Sequence, residues 1–277
     1  MAEQRLKNLT LSDADLNFII VEAATGSADK EKLKQLIKED ISFRRAFISD
    51  DRVFQQVISD EEIFLKISPF LYFEVLLRHT LKAIDRASYT IEKVGGSQVP
   101  VFDTQRVVSF LAEEDILDYL ADMLVSFTRS ESLTIPIRVR KGIWRRIRFS
   151  DMDIDALKRV SLLADDEHKF NFYKRIADVC LFILGIFPEY AHFDYNYPFS
   201  HNVTPQVRTS GRRGIQEYEE IGCKFYRLAA EHESAKVLEM TAVFRHLYEN
   251  FNVAWKPLNF LAQNYLHRGK DQLFGAL

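Results

Sequence analysis

Thr134 to Phe149 read TIPIRVRKGIWRRIRF, and this stretch decides how the rest is read, because it carries the one clear two-residue alternation in a chain otherwise patterned for helices. Ile135, Ile137 and Val139 alternate with Pro136 and Arg138. Beyond Arg140, Lys141 and Gly142 the alternation resumes, with Ile143, Ile147 and Phe149 set against Trp144, Arg146 and Arg148. Successive strand residues point to opposite faces, so the pattern predicts two short strands joined by a three-residue loop. Gly142 supplies the left-handed residue that closes such a loop. The loop would pair Val139 with Ile143 and Arg138 with Trp144. An aliphatic face then packs inward, Arg138, Trp144, Arg146 and Arg148 share the outer face, and Arg145 falls among the aliphatics.

The stretch holds six basic residues and no acid. Guanidinium forks match phosphate oxygens, and a flat indole can stack on an unpaired base. Arg138, Arg140, Lys141, Trp144, Arg146 and Arg148 are therefore the candidate contacts for nucleic acid or another anion. The plainer reading is a solvated face, or arginines paired with the acid-rich segment Glu113, Glu114, Asp115, Asp118 and Asp122 just upstream.

A chain of 277 residues with 47% hydrophobic side chains can bury a sizeable core in one or two domains. Its net charge of −3 argues against a dedicated basic DNA-binding domain, so any nucleic-acid contact is expected to be local. Cys180 and Cys223 each lie among apolar neighbours at helical spacing, which reads as buried thiols in a reducing compartment. The cytoplasm is the expected location. The longest apolar run, Val179 to Phe187, is far short of the roughly 20 residues that cross a bilayer, and neither a targeting segment nor a membrane partner is expected.

Elsewhere the signals are helical. ISDDRVFQQV (Ile48 to Val57) aligns without a gap on ISDEEIFLKI (Ile58 to Ile67), each copy placing Ser and acids ahead of an apolar turn. Ser59 with Glu62, and Ser150 with Asp153, have capping-box spacing. Ser68-Pro69 opens a helix to about Arg86 that is apolar nearly all round and belongs in the middle of the fold. A strand at Tyr89 to Val94, helices at Thr104 to Leu111 and Glu114 to Phe127, and then the hairpin give the order of a winged helix-turn-helix. The recognition helix of that arrangement would be acidic, which suits protein contact better than phosphate. Asp165 to Phe187 reads as a buried helix broken by Gly185-Ile-Phe-Pro188. Within it Asp178 is expected to pair with Lys174 or Arg175.

Pro188 to Gly214 has no periodicity, yet Tyr190, Phe193, Tyr195, Tyr197 and Phe199 are too many rings for a disordered linker. His192, Asp194 and His201 could coordinate or move protons there, and Arg208, Arg212 and Arg213 could grip an anion. The spacing fits no zinc set, and Asp165 with His168 lacks the second Glu-x-x-His of a di-iron bundle, so no metal and no cofactor are expected.

Val237, Thr241, Phe244, Tyr248, Phe251, Trp255, Leu258, Ala262 and Tyr265 recur at alternating spacings of four and three, predicting one long helix kinked near Val253 by Pro257. A break at His232 to Ser234 sets it antiparallel to a helix through Tyr218, Ile221, Phe225 and Leu228. The fold expected is mainly α: a multi-helix globular protein with one basic β-hairpin insertion (134–149) and a C-terminal antiparallel helical hairpin. Residues 1–150 form an N-terminal helical region ending in that hairpin, and 151–277 a C-terminal helical region, the two open to being one compact domain. The function expected is a non-enzymatic cytoplasmic binding or regulatory protein, with helical surfaces for a protein partner or a second copy and the hairpin for nucleic acid. The alternative is an enzyme or small-ligand binder whose pocket is closed by loop 188–214.

Overall fold

The computed structural model describes residues 11–23, 29–87, 90–94, 97–101, 103–128, 132–140, 143–192, 213–266 and 270–274, the strands by their backbone pairing. The chain is mainly helical. Six helices open it: α1 (Asp13–Ala23), α2 (Lys30–Glu39), α3 (Ile41–Ile48), α4 (Asp51–Ser59), the single turn α5 (Ile63–Lys66) and α6 (Pro69–Asp85).

Local capping sets these boundaries. Asp29, Asp40 and Asp50 accept from the backbone N–H groups of Lys32, Phe43 and Arg52, and Ser68 accepts from Leu71 at 3.2 Å ahead of Pro69. At Ser59 the expected box does not form. Ser59 stays in the last turn of α4, and Asp60 takes the free N–H of Glu62 at 3.0 Å instead. A box the sequence reading missed sits at α1, where Ser12 and Asp15 bond reciprocally. Asp15 is fully buried there and also accepts from the Ser68 N–H at 2.6 Å, which joins the starts of α1 and α6.

The helix α6 is central, as its apolar girth implies, with Leu71, Phe73, Val75, Leu76, Leu77 and Ile84 buried. A first ribbon pairs β1 (Thr90–Val94) with β2 (Ser97–Val101). Val94 lies opposite Ser97 across Gly95 and Gly96, so the expected lone strand has a partner. Next come α7 (Thr104–Leu111) and α8 (Glu114–Phe127). Ile116 to Leu120 of α8 are all buried, so it is a core helix and not the exposed reader of a winged helix-turn-helix. A second antiparallel ribbon joins β3 (Ser132–Arg140) to β4 (Ile143–Ser150).

Beyond it lie α9 (Ile154–Leu163), α10 (Asp166–Ile186), α11 (Pro188–His192), α12 (Ile215–Glu231), α13 (Glu233–Val237), α14 (Thr241–Glu249), α15 (Phe251–Asn264) and α16 (Lys270–Phe274). Asp153, rather than Ser150, caps α9 by accepting from the Ala156 N–H at 3.0 Å. The helix α10 includes Gly185 and ends at Ile186, within the expected break from Gly185 to Pro188. An added Cβ at Gly185 would lie 2.5 Å from Leu258 Cβ, so the glycine serves the close approach of α15. Gly222 on α12 does the same for the buried Phe251 ring.

The long C-terminal helix of the sequence reading is three helices. Val237 is 75% exposed, a turn separates α13 from α14, and Asn250 (φ −123°, ψ 28°) separates α14 from α15. The chain breaks at Asn250 and not at Val253, and Pro257 is accommodated inside α15. The antiparallel arrangement holds. Gly222 meets Phe251, Cys223 meets the Tyr248 carbonyl, and Tyr226 stacks on Phe244, so numbers rise along α12 as they fall along its partners. One continuous core spans both halves of the chain: Phe73 stacks on Phe274, and Lys256 pairs with Asp103. No helix among the described residues is long and apolar enough to cross a membrane.

Candidate functional site

The register of the second ribbon sets the basic residues against definite partners. Thr134 lies opposite Arg148, Pro136 opposite Arg146, and Arg138 opposite Trp144. Ile135 faces Ile147 across the ladder, while Ile137 faces Arg145. Near the turn the prediction fails. Arg140, not Val139, lies opposite Ile143, and the register shifts between Arg138 and Arg140. Val139 is thus the extra residue of a β-bulge, and the connection shortens to Lys141 and Gly142. Both of these, and the facing of the ribbon side chains, including the inward turn expected of Ile135, Ile137, Val139 and Ile147, lie outside the described residues. Among the described residues no helix packs broadly on either ribbon.

Two of the acids that could have neutralised the ribbon are engaged elsewhere. Glu114 of α8 accepts from both terminal nitrogens of Arg78, at 3.0 and 3.4 Å, and pairs with Arg45 Nε at 3.0 Å. Arg78, only 6% exposed, also donates to Glu74 at 2.9 Å. Asp118, one turn along α8, is 7% exposed, and its Oδ2 has no hydrogen-bond partner. Burial pushes its carboxyl up to about 7, the Glu74 charge adds to this, and Arg78 and Arg45 oppose it.

The end of α8 and the residue after β4 converge on α10. Arg175 donates to Ser126 Oγ at 2.9 Å, at the end of α8, and to the backbone oxygen and carboxylate of Asp151, which directly follows β4. Its guanidinium lies 3.9 Å from the centre of the Phe127 ring, which in turn stacks on Phe182. Arg175 is thus not the partner of Asp178. That carboxylate accepts from Lys174 at 2.8 Å and from the hydroxyls of Tyr119 and Tyr226.

The residues of the alternative ligand loop fare differently. His192 closes α11, and its side chain, like Asp194, His201, Arg208 and Arg212, lies outside the described residues. Arg213 is 9% exposed and donates to Asp155 on α9 and to Glu217 at 3.0 Å on α12, so it is a strut between two helices and not an open anion grip. His79 of α6 is half-buried and stacked on Phe54, its imidazole pKa lowered by desolvation. A groove of about 770 Å3 runs along α12, lined by Glu219, Glu220, Cys223, Lys224 and Arg227. Cys180 and Cys223 are free thiols, and burial raises both above the ordinary range. Among the described residues no group of three His, Cys, Asp or Glu side chains could hold a metal.

Sequence reasoning missed the Arg175 tether, the Glu114 fork and the buried state of Asp118. A signal existed only for the last, an acid set between Ile116, Leu117, Tyr119 and Leu120. No protein-family model, curated protein or solved structure matches this chain.

Proposed function

We propose that this protein is a non-enzymatic binding protein whose β3–β4 ribbon holds an anionic polymer, single-stranded nucleic acid, while its helices face protein partners. The observation that carries the reading is local charge. Six cations and no acid lie within residues 134–149, which leaves 31 basic against 40 acidic side chains elsewhere, a net of −9. Of the five acids just upstream, Glu114 is forked onto Arg78 and Asp118 is buried with a raised carboxyl pKa, which leaves the exposed Glu113, Asp115 and Asp122 against the six cations. A cationic ribbon on an acidic body attracts a polyanion at one place and repels it from the rest. Trp144 opposite Arg138 adds a ring on which an unpaired base can stack. The enzyme reading stands second, because Arg213 is taken up by Asp155 and Glu217.

The test is photocross-linking to a thymidine oligonucleotide followed by peptide mapping. Cross-links confined to peptides within 132–150 are expected. Cross-links spread over the α12 groove, or none, would remove the reading.

A further inference from the structure

One guanidinium bonds the residue that follows β4 and a residue of α8 six positions before β3. Ser126 lies six residues before Ser132, where β3 begins, and Asp151 is the residue after Ser150, where β4 ends. Arg175 bonds both from α10, and the Asp151 carboxylate and the Phe127 ring shield it so that its side chain is 15% exposed.

This geometry matters because a two-stranded ribbon is marginal by itself and gains direction only from what grips its ends. The bonds to Asp151, next to Ser150 at the end of β4, are a contact that can orient it. A planar fork suits that task. Its nitrogens are fixed relative to one another, so a bond to Ser126 and bonds to Asp151 hold the end of β4 against the end of α8 at a set separation and angle, which the point charge of a lysine cannot do. The base of the fork is itself fixed, since the stack of Arg175, Phe127 and Phe182 ties the guanidinium back to α10.

We propose that Arg175 is the positioning residue of the ribbon: it sets the direction in which the cationic strands leave the helical body, and so controls polyanion binding without touching the polyanion. The inference rests on the reading of the ribbon as the binding element, and two separate readouts keep their failures apart.

Trp144 and Trp255 are the two tryptophans of the chain, so a Trp255→Phe background leaves Trp144 as a reporter on the ribbon. Time-resolved anisotropy of Trp144 in that background should show a fast component in Arg175→Gln and a smaller one in Arg175→Lys. Ser126→Ala releases the α8 side of the fork at an exposed residue and serves as the milder variant should Arg175→Gln fail to fold; it should show the fast component too. In parallel, Kd for labelled oligothymidylate should rise about tenfold in Arg175→Gln with the salt slope unchanged. Unchanged Trp144 decay in all three variants overturns the proposal. A salt slope that falls by about 0.7, the loss of one phosphate contact on a single strand, also overturns it, because Arg175 would then be a contact and not a positioner. If the parent binds no oligothymidylate, the nucleic-acid reading fails, and the Trp144 decay still decides whether Arg175 orients the ribbon.

Discussion

Tyr226 of α12 donates its hydroxyl proton at 2.7 Å to the same Asp178 oxygen that accepts from Tyr119 of α8. With Lys174 on the second oxygen, a carboxylate 1% exposed joins three helices through charge-assisted bonds. Burial, then the Asp178 charge, holds both phenols well above their ordinary range, so they stay protonated donors. Tyr226→Phe removes one bond to a charged acceptor and should cost about 1.5 to 3 kcal/mol in urea unfolding. Asp178→Ala strands two buried hydroxyls and an ammonium, and should cost about 3 to 5 kcal/mol. A neutral Tyr226→Phe would show that the bond contributes nothing net.

Asp118 should make stability fall with pH. Its carboxyl goes from the ordinary 3.8 when unfolded to about 7 when folded. Between those values the folded chain keeps a proton that the unfolded chain has released. Stability therefore declines by about 1.4 kcal/mol per pH unit from pH 4 to pH 7 and is flat above. Asp118→Asn removes this slope, so its advantage over the parent should be small near pH 4 and reach about 2 to 4 kcal/mol at pH 8. Urea midpoints of both proteins across that range decide it. Parallel profiles would mean that Asp118 is ionised in the fold.

At the end of α13, Glu239 has φ 56°, the left-handed conformation that favours glycine. The Met240 N–H reaches Ala235 O at 2.7 Å and the Glu239 N–H reaches Lys236 O at 3.1 Å, closing a Schellman turn. Glu239→Gly should relieve the Cβ strain and stabilise by about 0.5 to 1 kcal/mol, and Glu239→Val should destabilise. A thermal scan of both variants checks the pair of signs.

Trp255 is 9% exposed and donates from Nε1 to Glu219 at 2.9 Å. Trp255→Ala should therefore lower unfolding free energy by about 3 to 5 kcal/mol. A variant that melts like its parent but loses self-association would make this face an interface.

How far the sequence could be read follows from the range of each interaction. Strand alternation and the Ser68-Pro69 start are local, and they place the second ribbon and α6. The stripe from Thr241 to Ala262 correctly marks Phe244, Phe251, Trp255 and Leu258 as buried, but periodicity cannot see the break at Asn250, because α14 and α15 each keep their apolar face across it. The bulge at Val139 was hidden for a related reason: alternation fixes faces along a strand, whereas the closing pair Arg140 and Ile143 depends on the turn. Arg78 and Glu114 are 36 residues apart, Tyr119 and Asp178 are 59 apart, and Ser126 and Arg175 are 49 apart. No spacing rule joins such partners, so the tether, the Glu114 fork and the tyrosine bonds to Asp178 had to come from the three-dimensional structure.

The central claim, that the ribbon is a polyanion-binding element, is tested most directly by the salt dependence of oligothymidylate affinity measured by fluorescence anisotropy. Counterion release gives a slope of about −0.7 in log K against log salt per phosphate neutralised on a single strand, so a ribbon using three or more of its cations predicts about −2 or steeper. Reversing Arg146 and Arg148 to Glu should abolish binding. Trp144→Ala should weaken it through lost stacking of about 1 to 3 kcal/mol per base and leave the slope in place. No binding by the parent at low salt, or a slope untouched by the double reversal, would contradict the account.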